Sequence, residues 1–140
     1  MVAIPAEVIT RLFASATLVK LALSRELGLN LLQLMALTIM GTAPVLSIRE
    51  LKGRLAVSGS SLTFTLDSLE SKGLIKRRRN RNDRRQWLLK LSKKGDGLYK
   101  QVQEAEGKAA SLLQGTLSEA EMSLFIKLAD QVSVPKTIAK

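Results

Sequence analysis

Between Val57 and Gly95 the hydrophobic pattern of this chain changes period twice, and no other feature restricts the fold as much. In the first part Leu62, Leu66 and Leu69 recur at i, i+4 and i+7, one stripe of a helix, while Ser60, Phe64, Asp67 and Ser71 fall on the opposite face. Gly73 stops that helix. The segments LIKRRR and QWLLKL that follow have strand composition, and the polar NRND between them is turn material. From Lys93 the pattern turns helical again. The order predicts a short hydroxyl-rich helix, a β-hairpin with arginines at its tip, and a further helix.

Charge is concentrated in the same stretch. From Lys72 to Lys100 there are twelve Lys and Arg against two acids, and the other ten bases of the chain's 22 meet the other ten of its 12 acids. The whole excess of +10 therefore sits on the hairpin and its flanks. A basic strand pair can simply be solvated. Seven bases between Lys76 and Arg85, however, repel one another unless an anion answers them, and Lys and Arg set against phosphates release condensed counterions. The pattern points to a nucleic acid.

Composition removes most rival chemistries. At 140 residues, 46% hydrophobic and 24% charged, the chain has the make-up of one ordinary globular domain or of a domain with extra helices. Without cysteine there is no disulfide, thiolate metal site or thiol redox switch, and without histidine no imidazole zinc site or Ser-His-Asp triad. No P-loop or GxGxxG stands after a strand, and the carboxylates read as caps or surface charges, so neither catalytic residues, nor a cofactor, nor a metal is expected. Every apolar run is broken by charge well short of the roughly 20 residues a membrane span needs. The expectation is a cytoplasmic protein with no membrane partner.

The remaining helices are announced by their caps. A first helix is predicted from about Pro5 to Glu26, with Val8, Ile9, Leu12, Phe13, Ala16, Val19, Leu23 and Leu27 covering more than one stripe. Asn30 with Gln33 caps a second through about Met40, and Ser47 with Glu50 a third from Ile48 to about Leu55. Ser58 then caps the hydroxyl-rich helix, so the third and fourth form a helix-turn-helix, and the hairpin makes it winged. Beyond Lys93, Leu98, Val102, Ala105, Ala109 and Leu112 form a heptad-like seam. Ser118 with Glu121 caps a last helix bearing Met122, Phe125, Ile126, Ala129 and Val132. These terminal helices can pack on their own domain, but they hold more apolar surface than a small winged domain covers, and a second copy of the chain is expected on them. The fold class is thus mainly α: a winged helix-turn-helix over 28–95 with a two- to three-stranded wing, flanked by a helical dimerisation region at 1–27 and 96–140.

Asp83-Arg84-Arg85, then Leu91-Ser92 and Gly95, resemble the wing signature of the MarR (multiple antibiotic resistance regulator) transcription regulators, with serine where threonine is usual. Gly28 to Gln33, Glu50-Leu51, Val57-Ser58 and Leu69 to Ile75 fit the same pattern in the same order, so the resemblance spans nearly the whole chain. It implies a homodimer that binds palindromic double-stranded operator DNA, usually as a repressor. It also implies release by a small aromatic or anionic effector held between the dimer helices and the DNA-binding lobe. Two positions depart from the family: Phe64 stands where an arginine or another long polar residue is common, and Lys52 where a small alanine is.

The expected DNA contacts follow. Ser58, Ser60, Ser61 and Thr63 offer single hydrogen bonds from the recognition helix to phosphate or a base edge, and Phe64 either sits against thymine methyls or packs on its own domain or the partner. Arg77 and Arg79 on the strand and Arg81 and Arg84 at the tip are set for phosphates or the groove edge. Asp83 is expected to grip the Arg85 guanidinium bidentately and so aim it into the narrow minor groove. The rival reading is a basic architectural DNA- or RNA-binding winged helix without a defined operator.

Overall fold

The computed structural model describes residues 5–115 and 117–131. It divides into two compact units, Met1–Tyr99 and Lys100–Lys140. Along the chain run α1 (Ala6–Glu26), α2 (Leu31–Gly41), β1 (Leu46–Ser47), α3 (Ile48–Leu55), α4 (Gly59–Ser71), β2 (Ile75–Arg79), β3 (Trp87–Leu91), α5 (Lys93–Gln114) and α6 (Glu119–Gln131). The three strands form one antiparallel sheet in the order β1-β3-β2. This is the mainly helical winged helix-turn-helix that the sequence predicts, with the wing three-stranded because the residues just ahead of α3 pair Leu46 with Leu89.

Local chemistry sets the helix starts. Asn30 Oδ1 accepts the Gln33 backbone N–H at 2.8 Å, and Gln33 Oε1 returns the bond to the Asn30 N–H at 3.0 Å. Ser47 and Glu50 make the same reciprocal pair ahead of α3. The hydroxyl and then the backbone N–H of Ser47 hold the Glu50 carboxyl below its usual range. Ser58 Oγ accepts the Ser61 N–H at 3.2 Å and starts α4. In the second unit Ser118 and Glu121 repeat the box ahead of α6.

The core of the first unit is the leucine stripe of α4 seated on α2 and β2. Leu62, Leu66 and Leu69 are buried together with Leu34, Ala36, Leu37 and Met40 of α2, Leu51 of α3, and Ile75 and Leu89 of the sheet. Burying a leucine of this kind contributes about 1.5–3 kcal/mol. The one long polar side chain among them, Gln33, is satisfied: its Nε2 donates to Ser68 Oγ at 2.8 Å and fixes α2 to α4.

At the end of α4 the chain turns sharply into the wing. Gly73 has φ +72°, a left-handed conformation in which any Cβ is strained. Its N–H donates to the Glu70 carbonyl and that of Leu74 to Leu69, which closes the helix. The segment after β3 then folds back onto this turn. The Ser92 N–H donates to the Leu74 carbonyl at 2.9 Å, the Ser92 hydroxyl to the Gly73 carbonyl at 2.6 Å, and Lys94 Nζ to the Lys72 carbonyl at 2.9 Å. Gly95 packs so tightly that a Cβ there would lie 2.0 Å from the Leu74 carbonyl oxygen.

On the flanking helices, Leu18 and Val19 of α1 and Leu124 and Ile126 of α6 are exposed, while Val102 of α5 is buried and Leu98 and Ala105 are half-buried. Of the apolar positions expected on these helices, Val132 and the side chains of Val8, Ile9, Leu12, Phe13, Leu112, Phe125 and Ala129 lie outside the described residues. Among the described residues no helix is long and apolar enough to cross a membrane, and no group of acids could hold a metal ion.

Candidate nucleic-acid interface

Once the leucine stripe of α4 is buried, its other face is fixed. Ser58, Ser60, Ser61, Thr63 and Phe64 are all exposed, with Phe64 at 72%. The hydroxyls are engaged locally: Ser58 Oγ lies 3.1 Å from Ser60 Oγ and donates to Ser61 Oγ at 2.9 Å, and the Thr63 hydroxyl donates to the Gly59 carbonyl at 2.9 Å. The face carries no Arg, Asn or Gln, the side chains that make two-point contacts with a base.

Strand alternation divides the basic run of β2. Ile75, Arg77 and Arg79 share one face, since Arg77 lies opposite buried Leu89 and Arg79 opposite Trp87. Arg77 is therefore turned toward the domain. Its guanidinium bonds to Asp67 and, from Nε at 2.8 Å, to Glu70, both on α4, and its side chain is only 18% exposed. Burial works against the charged form, but the hydrogen bond and charge of Asp67 and the charge of Glu70 outweigh it and raise the Arg77 pKa above its ordinary value. In place of the expected outward DNA contact, the Arg77 guanidinium is engaged within the protein: it ties α4 to the wing and neutralises the two acids of that helix. Its replacement by alanine is expected to lower stability by about 1 kcal/mol, a modest value because both acids are well exposed, as read from urea denaturation.

Arg79 has a mixed role. It is exposed, yet its guanidinium carbon sits 4.2 Å from the centre of the Trp87 ring and its Nη1 donates to the Arg84 carbonyl at 2.8 Å. Lys76 and Arg78 take the outer face and are both exposed, so the four bases of the strand split between its two faces as alternation requires. Lys76 also lies directly opposite Lys90, a like-charge pair that an anion would relieve.

The wing tip brings Arg81, Arg84 and Arg85 into solvent, and Arg79, Asn80, Arg81 and Arg84 line an open cleft of about 540 Å³. Asp83 shapes this tip differently from expectation. Its Oδ1 accepts the backbone N–H of Arg85 at 3.0 Å and its Oδ2 a bond from Gln86 Nε2 at 3.1 Å. Both carboxylate oxygens are thus engaged elsewhere, and Asp83 does not clamp the Arg85 guanidinium. A carboxylate reaching the N–H two residues on is an Asx turn, and it fixes the backbone while leaving the guanidinium outside. Asn80 Oδ1 does the same for the Asn82 N–H at 3.0 Å, and the Asn80 N–H donates to the Gln86 carbonyl at 2.9 Å, closing the loop.

Some of the basic excess is used inside the protein. Lys72 Nζ caps the Gly28 carbonyl at 2.8 Å and Lys94 that of Lys72, and with Arg77 they leave the outward charge on the wing.

Residues 29–87 match the model of the MarR family. Among solved structures, wild-type apo MarR from E. coli is 25% identical, with 96% of this chain and 100% of that one aligned at a TM-score of 0.74. FabT from Streptococcus pneumoniae, solved in complex with DNA, aligns over 91% of each chain at 24% identity and a TM-score of 0.79. NadR, solved in complex with 4-hydroxyphenylacetate, aligns over 96% of this chain and 94% of that one at 22% identity and a TM-score of 0.77. The helix-turn-helix and three-stranded wing thus carry a MarR-family domain match over residues 29–87, and the chain as a whole has the fold of the MarR winged-helix regulators.

Proposed function

We propose that this protein is a sequence-specific DNA-binding regulator that acts as a homodimer on palindromic operators, with α4 in the major groove and the wing-tip arginines in the minor groove. The observation that carries this reading is the wing tip. Three guanidinium groups project from a loop whose backbone is fixed by Asp83 and Asn80, on the same unit as a recognition helix whose two acids are neutralised. The exposed apolar residues of α1 and α6 suit burial against a second copy. Two lobes related by a two-fold axis would meet half-sites about one helical turn, ~34 Å, apart.

With few base-reading groups on α4, much of the preference falls to DNA shape, and an A/T-rich minor groove flanking each half-site favours the wing arginines. The same scarcity is what favours the rival, an architectural binder without an operator. Selection of duplexes from random DNA, followed by competition at fixed salt, separates the two. An operator-binding regulator gives a specific-to-nonspecific ratio of at least roughly 10³, and a ratio near one leaves the architectural reading.

Repression and relief by a small aromatic anion complete the proposal. A cleft of about 390 Å³ between the end of α2 and the start of α5 has Lys90 and Lys93 in its lining against one acid, Asp96, a balance that admits a carboxylate. Loss of the protein–DNA complex on titration with 4-hydroxyphenylacetate would support an effector of that class, and an unchanged complex would count against it.

The role of Asp83 is tested with two substitutions. Asp83→Ala removes the Asx turn and is expected to weaken operator binding roughly tenfold, with the melting temperature unchanged. Asp83→Asn keeps an acceptor oxygen for the Arg85 N–H and is expected to stay within about twofold of wild type. Equal losses in the two variants would show that the charge, rather than the turn, is what matters.

A further inference from the structure

Phe64 is the most exposed large hydrophobic side chain among the described residues, and it stands on the helix face assigned to the groove. Nothing in its own unit covers it. Ser60, one turn earlier, and Asp67, about one turn later, are polar neighbours, and Asp67 is tied to Arg77. The hydroxyls around it have local partners, so the face has little left with which to tell one base pair from another by hydrogen bonding. What it does hold is an aromatic ring.

Of the four base edges in the major groove, that of thymine alone presents an apolar group, its C5 methyl. A ring set among small hydroxyl-bearing residues on a groove-sized helix can bury that methyl with no polar side chain in the way. A protein partner would fit less well: the serine-rich surround is a poor apolar socket, and the strongly cationic wing on the same unit calls for a polyanion. We propose that Phe64 is a specificity-determining residue that reads the C5 methyl of thymine in each half-site and would read 5-methylcytosine at the same place. The proposal rests on α4 being the major-groove helix and adds the chemistry by which that helix discriminates.

The experiment uses duplexes selected from random DNA by the wild-type protein. Thymines of the half-sites are then replaced singly by deoxyuridine, which deletes the methyl and leaves the pairing intact. At the contacted position the wild-type affinity is expected to fall about fourfold, and roughly fifteenfold when both half-sites are changed, the effect of removing one or two buried methyls. Phe64→Ala should bind the thymine and deoxyuridine duplexes equally, and Phe64→Leu, still apolar, should keep a preference for thymine. Placing 5-methylcytosine rather than cytosine at the contacted position should raise wild-type affinity by a similar factor. Because Phe64 is exposed, its variants are expected to melt like the wild type. If thymine and deoxyuridine duplexes bind wild type alike at every half-site position, or if Phe64→Ala keeps the preference, the inference is overturned while DNA binding stands. If no duplex is selected above competitor, both this inference and the reading of the protein as an operator binder fall.

Discussion

Replacing Gly95 with alanine is expected to destabilise the protein by about 3 kcal/mol and to lower its melting temperature by about 10 °C. The added Cβ would lie 2.0 Å from the Leu74 carbonyl oxygen, and neither side can yield cheaply. Leu74 already accepts from the Ser92 N–H, while Gly95 is held by its own N–H bond to Ser92 Oγ at 3.0 Å. At Gly97, two residues further along α5, an added Cβ would meet nothing within 4 Å, and Gly97→Ala should instead stabilise by about 0.5–1 kcal/mol. Thermal melts of the two variants side by side check both signs. A Gly95→Ala protein that melts like wild type would show that the close approach of α5 to the Leu74 carbonyl does not exist in solution.

The second large effect is on DNA. Replacing Arg81, Arg84 and Arg85 together by alanine is expected to lower operator affinity at least about a hundredfold at moderate salt. For the proposed homodimer six cations are lost, and the slope of log K against log salt should become shallower by about 5. Folding should not change: all three side chains are exposed, and Arg84 and Arg85 serve the tip through their backbones, Arg84 as acceptor for Arg79 and Arg85 as donor to Asp83. A triple variant with the wild-type slope would place the phosphate contacts elsewhere, with Lys76, Arg78 and Lys90 on the outer face of the hairpin next in line.

How much of this is legible in the sequence depends on the distance between interacting residues. The boxes at Asn30–Gln33, Ser47–Glu50 and Ser118–Glu121 act over three residues, and all three are present. The buried stripe of α4 and the exposure of Phe64 follow from helical period alone. The pairing of Arg77 with Asp67 and Glu70 is not legible, because these partners lie across the turn at Gly73, where neither helical nor strand spacing applies. At Asp83 the spacing to Arg85 suits a bond to the guanidinium or to the backbone N–H, and only the folded loop decides between them. The two-residue strand β1 is too short for any periodicity and exists through its pairing with β3. Gly95 is visible as part of a signature, but its reason, the approach to Leu74, requires the fold.

The stacking of Arg79 on Trp87 has a practical consequence. Trp87 is the chain's single tryptophan, 38% exposed and covered by a guanidinium that belongs to the same basic hairpin. An anion that draws Arg79 away uncovers the indole, so its emission reports engagement of the hairpin directly. The protein thus carries its own fluorophore at the place where binding would be felt, and needs no dye.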